Sequence, residues 1–233
     1  MIIDLSSSLR AAHGRPFRMG FFHFSNNNLS IRRQCAREIG MYDPGAIKSE
    51  DVDICFRVAL SPQWVACRED QAAIRHKGRR TLWELVRQMW GWGFYVGYPY
   101  AKTGIRGVYL YWVSAARHRL TRQLETAAFP LLVCVFATEF HLLHGLAAAA
   151  LLATWSGHLA LAAVLVAGGL WALRAYLHDV LRAGLSPWDT LELAAVHYLT
   201  NVAFTTATFL GALRHRIVLV PASVLRPDGP APR

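Results

Sequence analysis

Between Gly145 and Leu173 the chain carries no Asp, Glu, Lys or Arg. A core helix of a water-soluble protein usually shows a charged outer stripe, and this stretch has none. A membrane-spanning helix needs about 20 mostly apolar residues to cross roughly 30 Å of hydrocarbon. Three segments come near that length: 127–155, 159–173 and 190–213. The first is interrupted by Glu139, His141 and His144. The second extends through Arg174 and Tyr176, whose long side chains reach back toward water. The third is the most polar, with Glu192, His197 and Asn201. The expectation is a transmembrane helical region over 126–216 with two to three spans, the alternative being a large buried bundle. No short basic segment with a cleavage site precedes the run, so it does not read as a secretory signal.

Charge divides the chain. Residues 1–126 hold 19 Lys+Arg against 10 Asp+Glu, and 127–233 hold 6 against 5. A basic half beside an apolar half suits anionic lipid headgroups or phosphate-bearing ligands. No nucleic-acid recognition motif accompanies the charge. Arg117, Arg119 and Arg122 before the first segment, and Arg174 and Arg182 after the second, place the N-terminal half in the cytoplasm of a multi-pass cell-membrane protein. Arg214 and Arg216 after the third segment conflict with three spans. The four cysteines form no C-x-x-C pair and read as reduced thiols on a cytosol-facing protein.

Within the basic half, Phe21, Phe22 and Phe24 read as a strand, and Leu29 to Ile39 as a helix stopped by Gly40. Ser49 is a good N-cap, with Glu50, Asp51 and Asp53 in the first turn, where the helix dipole favours acids. Val52, Cys55, Phe56 and Ala59 follow helical spacing, predicting an amphipathic helix over 50–60 that Pro62 ends. Trp64–Cys67 and Ala72–Ile74 read as short strands. A Trp- and Tyr-rich helix over 81–100 leads toward the membrane, and its aromatics suit an interface belt. The tail from Pro227 reads as frayed.

Glu50-Asp51-Val52-Asp53 is the densest carboxylate cluster. A carboxylate held ionised at a helix N-terminus is able to take a proton from a hydroxyl. The plainer alternative is a helix cap. The run Asn28-Leu29-Ser30-Ile31-Arg32-Arg33, then Gly40-Met41-Tyr42-Asp43, then Glu50-Asp51-Val52-Asp53-Ile54-Cys55-Phe56-Arg57 resembles the second half of the family 2 glycosyltransferases. Their motifs read N-x-S-x-R-R, G-x-[FY]-D and E-D-x-D-[LI]-x-x-R in that order. The resemblance covers roughly residues 20–100.

The resemblance implies an α/β fold of the GT-A type and inverting transfer from a nucleotide-sugar donor to a hydroxyl of a lipid or glycan acceptor. It makes Asp51 the catalytic base, with Glu50 and Asp53 supporting the site. Asn28 would line the pocket, and His76 falls where many members carry a His. Arg79, Arg80 or Arg87 would face a diphosphate or a lipid phosphate, since Arg forks match phosphate oxygens. The equal alternative for these three is a basic face on anionic lipid. Processive members carry Q-x-x-R-W near the membrane; here Gln88 stands without that Arg-Trp, which argues against a polysaccharide synthase.

Family members also carry a nucleotide-binding half ending in a D-x-D motif that holds Mg or Mn. The matched region begins about 20 residues into this chain, and Asp51-Val52-Asp53 matches the later acidic motif instead. The expected organisation is therefore 1–105 as a partial GT-A-like domain lacking that half, 106–125 as a basic connector, 126–216 in the membrane and 217–233 as a tail. Such a chain would be inactive alone, and would be a truncated product, the result of a misplaced start codon, or one of two split chains completed by a separate N-terminal chain. The rival class is a non-enzymatic membrane-anchored scaffold. A small transporter would instead use Glu139, His141, His144, Glu192 and His197.

Overall fold

The computed structural model describes residues 29–61, 63–64, 79–114, 119–126 and 129–221. The strands expected at Phe21–Phe24 and Ala72–Ile74, most of that at Trp64–Cys67, the candidates Asn28 and His76, and the tail from Pro227 lie outside them. The architecture is mixed α/β, mostly helical, around a small and largely parallel sheet.

Helix α1 spans Arg33–Glu38 and closes at Gly40, whose φ of +87° suits a residue without a Cβ. It is shorter than the 29–39 expected from sequence, because Leu29 to Arg32 remain extended or irregular before it. Helix α2 spans Glu50–Leu60, as its spacing predicts. Ser49 occupies the N-cap position, but its buried hydroxyl makes no cap bond. The Asp51 carboxylate instead accepts the Val52 N–H at 2.9 Å. Helix α3, Leu82–Lys102, starts at a working cap: Thr81 Oγ1 accepts the Glu84 N–H at 3.2 Å.

The segment expected to be a connector is a hairpin. Strand β1, Gly107–Ser114, pairs antiparallel with β2, Arg119–Thr126. The first apolar segment is not one spanning helix. It divides into strand β3, Leu132–Ala137, and helix α4, Glu139–Trp155. Leu132, Cys134 and Phe136 are buried while their neighbours are half-buried, a period of two that pairing with β1 enforces. Val133 and Val135 favour the extended form. The Thr138 N–H then donates to His141 Nδ1 at 3.2 Å, starting α4 with half of a reciprocal cap.

Beyond α4, the turn at Gly157 leads to α5, Leu159–Tyr176. Short α6, His178–Arg182, precedes the long α7, Pro187–Leu213. The expected tail supplies strand β4, Val218–Val220, parallel to β3, so the sheet order is β2-β1-β3-β4. Helices α5 and α7 are long and apolar enough to cross a membrane. Small residues line the α4–α5 hairpin's buried positions, among them Ala150, Ala153, Ala162, Gly169 and Ala172, while Leu151, Leu152 and Trp155 are 73%, 70% and 93% exposed. Large apolar side chains turned outward in this way suit lipid better than water.

The core lies where α2, α3 and the end of α7 meet the sheet. Phe56 and Tyr100 meet edge to face at 4.7 Å, and Tyr111 stacks on Phe136 at 4.9 Å. Glycines allow α3 and α7 to touch backbone to backbone. A Cβ on Gly93 would stand 2.5 Å from the Phe204 carbonyl oxygen, and one on Gly97 would stand 2.8 Å from Ala212 Cα. This small-xxx-small seam is the packing that apolar helices use in bilayers.

Candidate functional site

The acidic motif opens α2, and the structure separates its members. Glu50 and Asp51 are half-buried at the helix start. Asp53 is enclosed: its Oδ2 accepts from Arg57 Nη2 at 2.6 Å and Nε at 2.9 Å, and Lys102 Nζ lies 3.4 Å from its Oδ1. Arg57 also donates to the Ile39 carbonyl, tying the end of α1 to α2. Asp53 is thus gripped by cations of its own chain and is not presented to a ligand. The residue types of the third motif explain this: Asp and Arg four apart on a helix face each other.

The second motif joins the same network. Asp43 Oδ1 accepts the Gly45 N–H at 2.8 Å, and its Oδ2 accepts from Tyr98 Oη at 2.9 Å and from Lys102. The Lys102 ammonium, then the Gly45 amide and the Tyr98 hydroxyl, hold the Asp43 carboxyl down at about 2. The same bond raises Lys102 above its ordinary value. Tyr98 reads in the sequence only as an interface-belt aromatic and Lys102 is not singled out there; their link to Asp43 spans more than fifty positions and has no local signal.

Next to the start of α3 lies an open groove of about 330 Å³, lined by Lys48, Arg79, Glu84, Arg87, Gln88 and Trp92. It brings together two of the three candidate arginines, and adds Lys48, three residues before Asp51. Lys48 reaches it from a left-handed backbone position, φ 56°, and its Nζ passes over Gly91, where a Cβ would stand 2.8 Å away. Arg79 Nε donates to Gln88 Oε1 at 2.9 Å. Arg80 is exposed and outside the lining; its backbone N–H donates to Glu84 Oε2 at 3.1 Å.

A second polar cluster sits at the base of the apolar hairpin. His144 bonds the Phe140 carbonyl at 2.7 Å and the Tyr198 hydroxyl at 3.0 Å; Asn201 Nδ2 donates to the Tyr176 hydroxyl at 2.6 Å, beside His197. Glu139, His141, His144 and His197 belong to this junction region, whereas Glu192 is exposed on the first turns of α7. Tyr176, Tyr198 and Asn201 complete it. These bonds join α4, α5 and α7 and satisfy most of the polar groups there, the buried His141 Nε2 excepted.

Among the described residues no three His, Cys, Asp or Glu side chains group as ligands, and the Asp53 oxygens are turned to Arg57 and Lys102. Comparison with family models, characterised proteins and solved structures gives no match to this chain.

Proposed function

We propose that the chain is the acceptor-side part of a membrane-associated glycosyltransferase. The observation that carries this reading is the placement of Asp51. It stands half-buried at the start of α2, three residues after Lys48, which lines the groove with Arg79 and Arg87. A half-buried carboxylate three residues along the chain from a lysine of a basic groove, on a protein with long apolar helices, suits a hydroxyl acceptor and a phosphate-bearing partner at a membrane surface.

In the proposed step the acceptor oxygen attacks the anomeric carbon of the sugar. The bond from that carbon to the diphosphate oxygen breaks, and its electron pair leaves with the diphosphate. The acceptor proton passes to the Asp51 carboxylate, the role of a general base. Lys48, Arg79 and Arg87 offer charge to phosphate oxygens. The Asp53–Arg57–Lys102–Asp43 network holds the start of α2 against the end of α3. Binding of the donor's nucleoside and sugar belongs to residues outside this set.

The test is transfer of labelled sugar from nucleotide-sugars to endogenous acceptors in membranes of the source cells, which contain any completing partner. Asp51→Asn lowers transfer by about a hundredfold or more, with the chain still in the membrane at normal level. Unchanged transfer refutes the reading. One observation favours a second reading, the anchored scaffold: the Asp51 carboxylate bonds its neighbour's N–H, as a simple cap does.

A further inference from the structure

Trp83, Arg87, Trp90 and Phe94 follow one another at i, i+4, i+7 and i+11, which places them on one face of α3. Trp83 is 72% exposed and Trp90 42%. At the far end of the stripe the Arg214 guanidinium lies 4.9 Å from the Phe94 ring centre. The basic groove opens onto the same helix, and Arg87 belongs to both.

The groove's charge is unbalanced. Lys48, Arg79 and Arg87 face one carboxylate, Glu84, which is engaged with the Arg80 N–H at the helix start. Gln88 holds Arg79 across the first turns of α3. Exposed indoles are costly in water and stable at the headgroup level of a bilayer, where one edge is apolar and the other wet. Guanidinium and ammonium groups beside them match a phosphate diester. The chain carries its own reason to be at a bilayer, since α5 and α7 are long and apolar enough to cross one.

We infer that this face of α3 docks on anionic phospholipid, with the headgroup phosphate between Lys48, Arg79 and Arg87 and the indoles of Trp83 and Trp90 at the ester level. The same three cations meet phosphate in the proposed function, so the inference names an occupant for that groove, while its lipid preference is read without sugar transfer. It accounts for both features by one occupant.

The test is lipid binding to the intact chain in detergent, read by native mass spectrometry with phosphatidylglycerol and phosphatidylcholine of equal acyl chains. An exposed ion pair is worth up to about 1 kcal/mol, so three cations give phosphatidylglycerol an advantage of roughly tenfold to a hundredfold over the zwitterionic headgroup. Lys48→Gln with Arg79→Gln and Arg87→Gln brings the advantage close to unity. Trp83→Ala with Trp90→Ala weakens both lipids and keeps the preference. Should the triple variant fail to fold, Arg79→Gln and Arg87→Gln singly each cost roughly two- to fivefold. Equal binding of the two lipids by the wild-type chain overturns the inference. So does a preference untouched by the charge variants, or full displacement of phosphatidylglycerol by inorganic phosphate, which would mark a site for free anions.

Discussion

Two helical glycines test the packing in opposite directions. Gly211 in α7 sits against α3, and a Cβ there would lie 2.1 Å from the Phe94 carbonyl oxygen and 2.9 Å from its Cα. Ordinary carbon contacts begin near 3.5 Å, so Gly211→Ala forces the helices apart by roughly 1 Å, and a gap of that size forfeits a quarter to a half of the dispersion energy along the seam. Overpacking of this kind costs about 1–3 kcal/mol, and a backbone neighbour, unlike a side-chain tip, has no rotamer to escape into. Alanine's better helix propensity returns about 1 kcal/mol. The upper half of the range applies to a 2.1 Å contact, leaving a net loss of about 1–2 kcal/mol. Gly145 in α4 has nothing within 4 Å of the same position, so Gly145→Ala keeps the propensity gain, about 0.5–1 kcal/mol. The assay is the unfolding midpoint of each variant in one detergent, by circular dichroism during denaturant titration. Equal shifts, or a Gly211→Ala chain as stable as wild type, would refute the seam.

Asp53→Ala removes the enclosed partner of Arg57 and Lys102; because Lys102 is 41% exposed, the loss is about 2–3 kcal/mol, below the range for a fully buried pair, and denaturant unfolding measures it. Asp43 has a folded pKa of about 2 against an ordinary 3.8, so its contribution is whole above pH 4 and disappears as pH falls toward 2. Asp43→Asn should therefore flatten that stretch of the stability–pH curve, and an unchanged acid limb would count against the Lys102 contact. Thr81→Ala removes the cap of α3 and costs about 1 kcal/mol, read as faster hydrogen exchange at the Glu84 amide.

The local part of this fold was legible and the distant part was not. The three acids after Ser49 and the apolar spacing from Val52 mark α2 because both signals lie within a few residues. Even there the capping group differs: Ser49 turns inward and Asp51 serves its neighbour's amide. The sheet escaped because each β3 residue is stabilised by partners far along the chain, Val133 by Val108 on one side and Val218 on the other. A run such as Leu132–Ala137 between apolar neighbours is indistinguishable by composition from the start of a spanning helix. At the candidate site, Asp51, Arg79 and Arg87 were visible as residue types suited to proton transfer and phosphate. Lys48, Tyr98 and Lys102 were not, since only the packing of α3 on α2 and its flanking loop brings them in.

Strand β4 has a topological consequence. It lies beside β3 in one sheet, so everything between Ala137 and Val218 departs from and comes back to one compartment. Whichever of these helices enter a bilayer, the tally of complete traversals between the two strands is even, and three is forbidden. An out-and-back pair formed by α4 and α5 meets that parity. Were that pair the one in the bilayer, Arg174, Arg182, Arg214 and Arg216 would all stand on the sheet's own side, on a single leaflet.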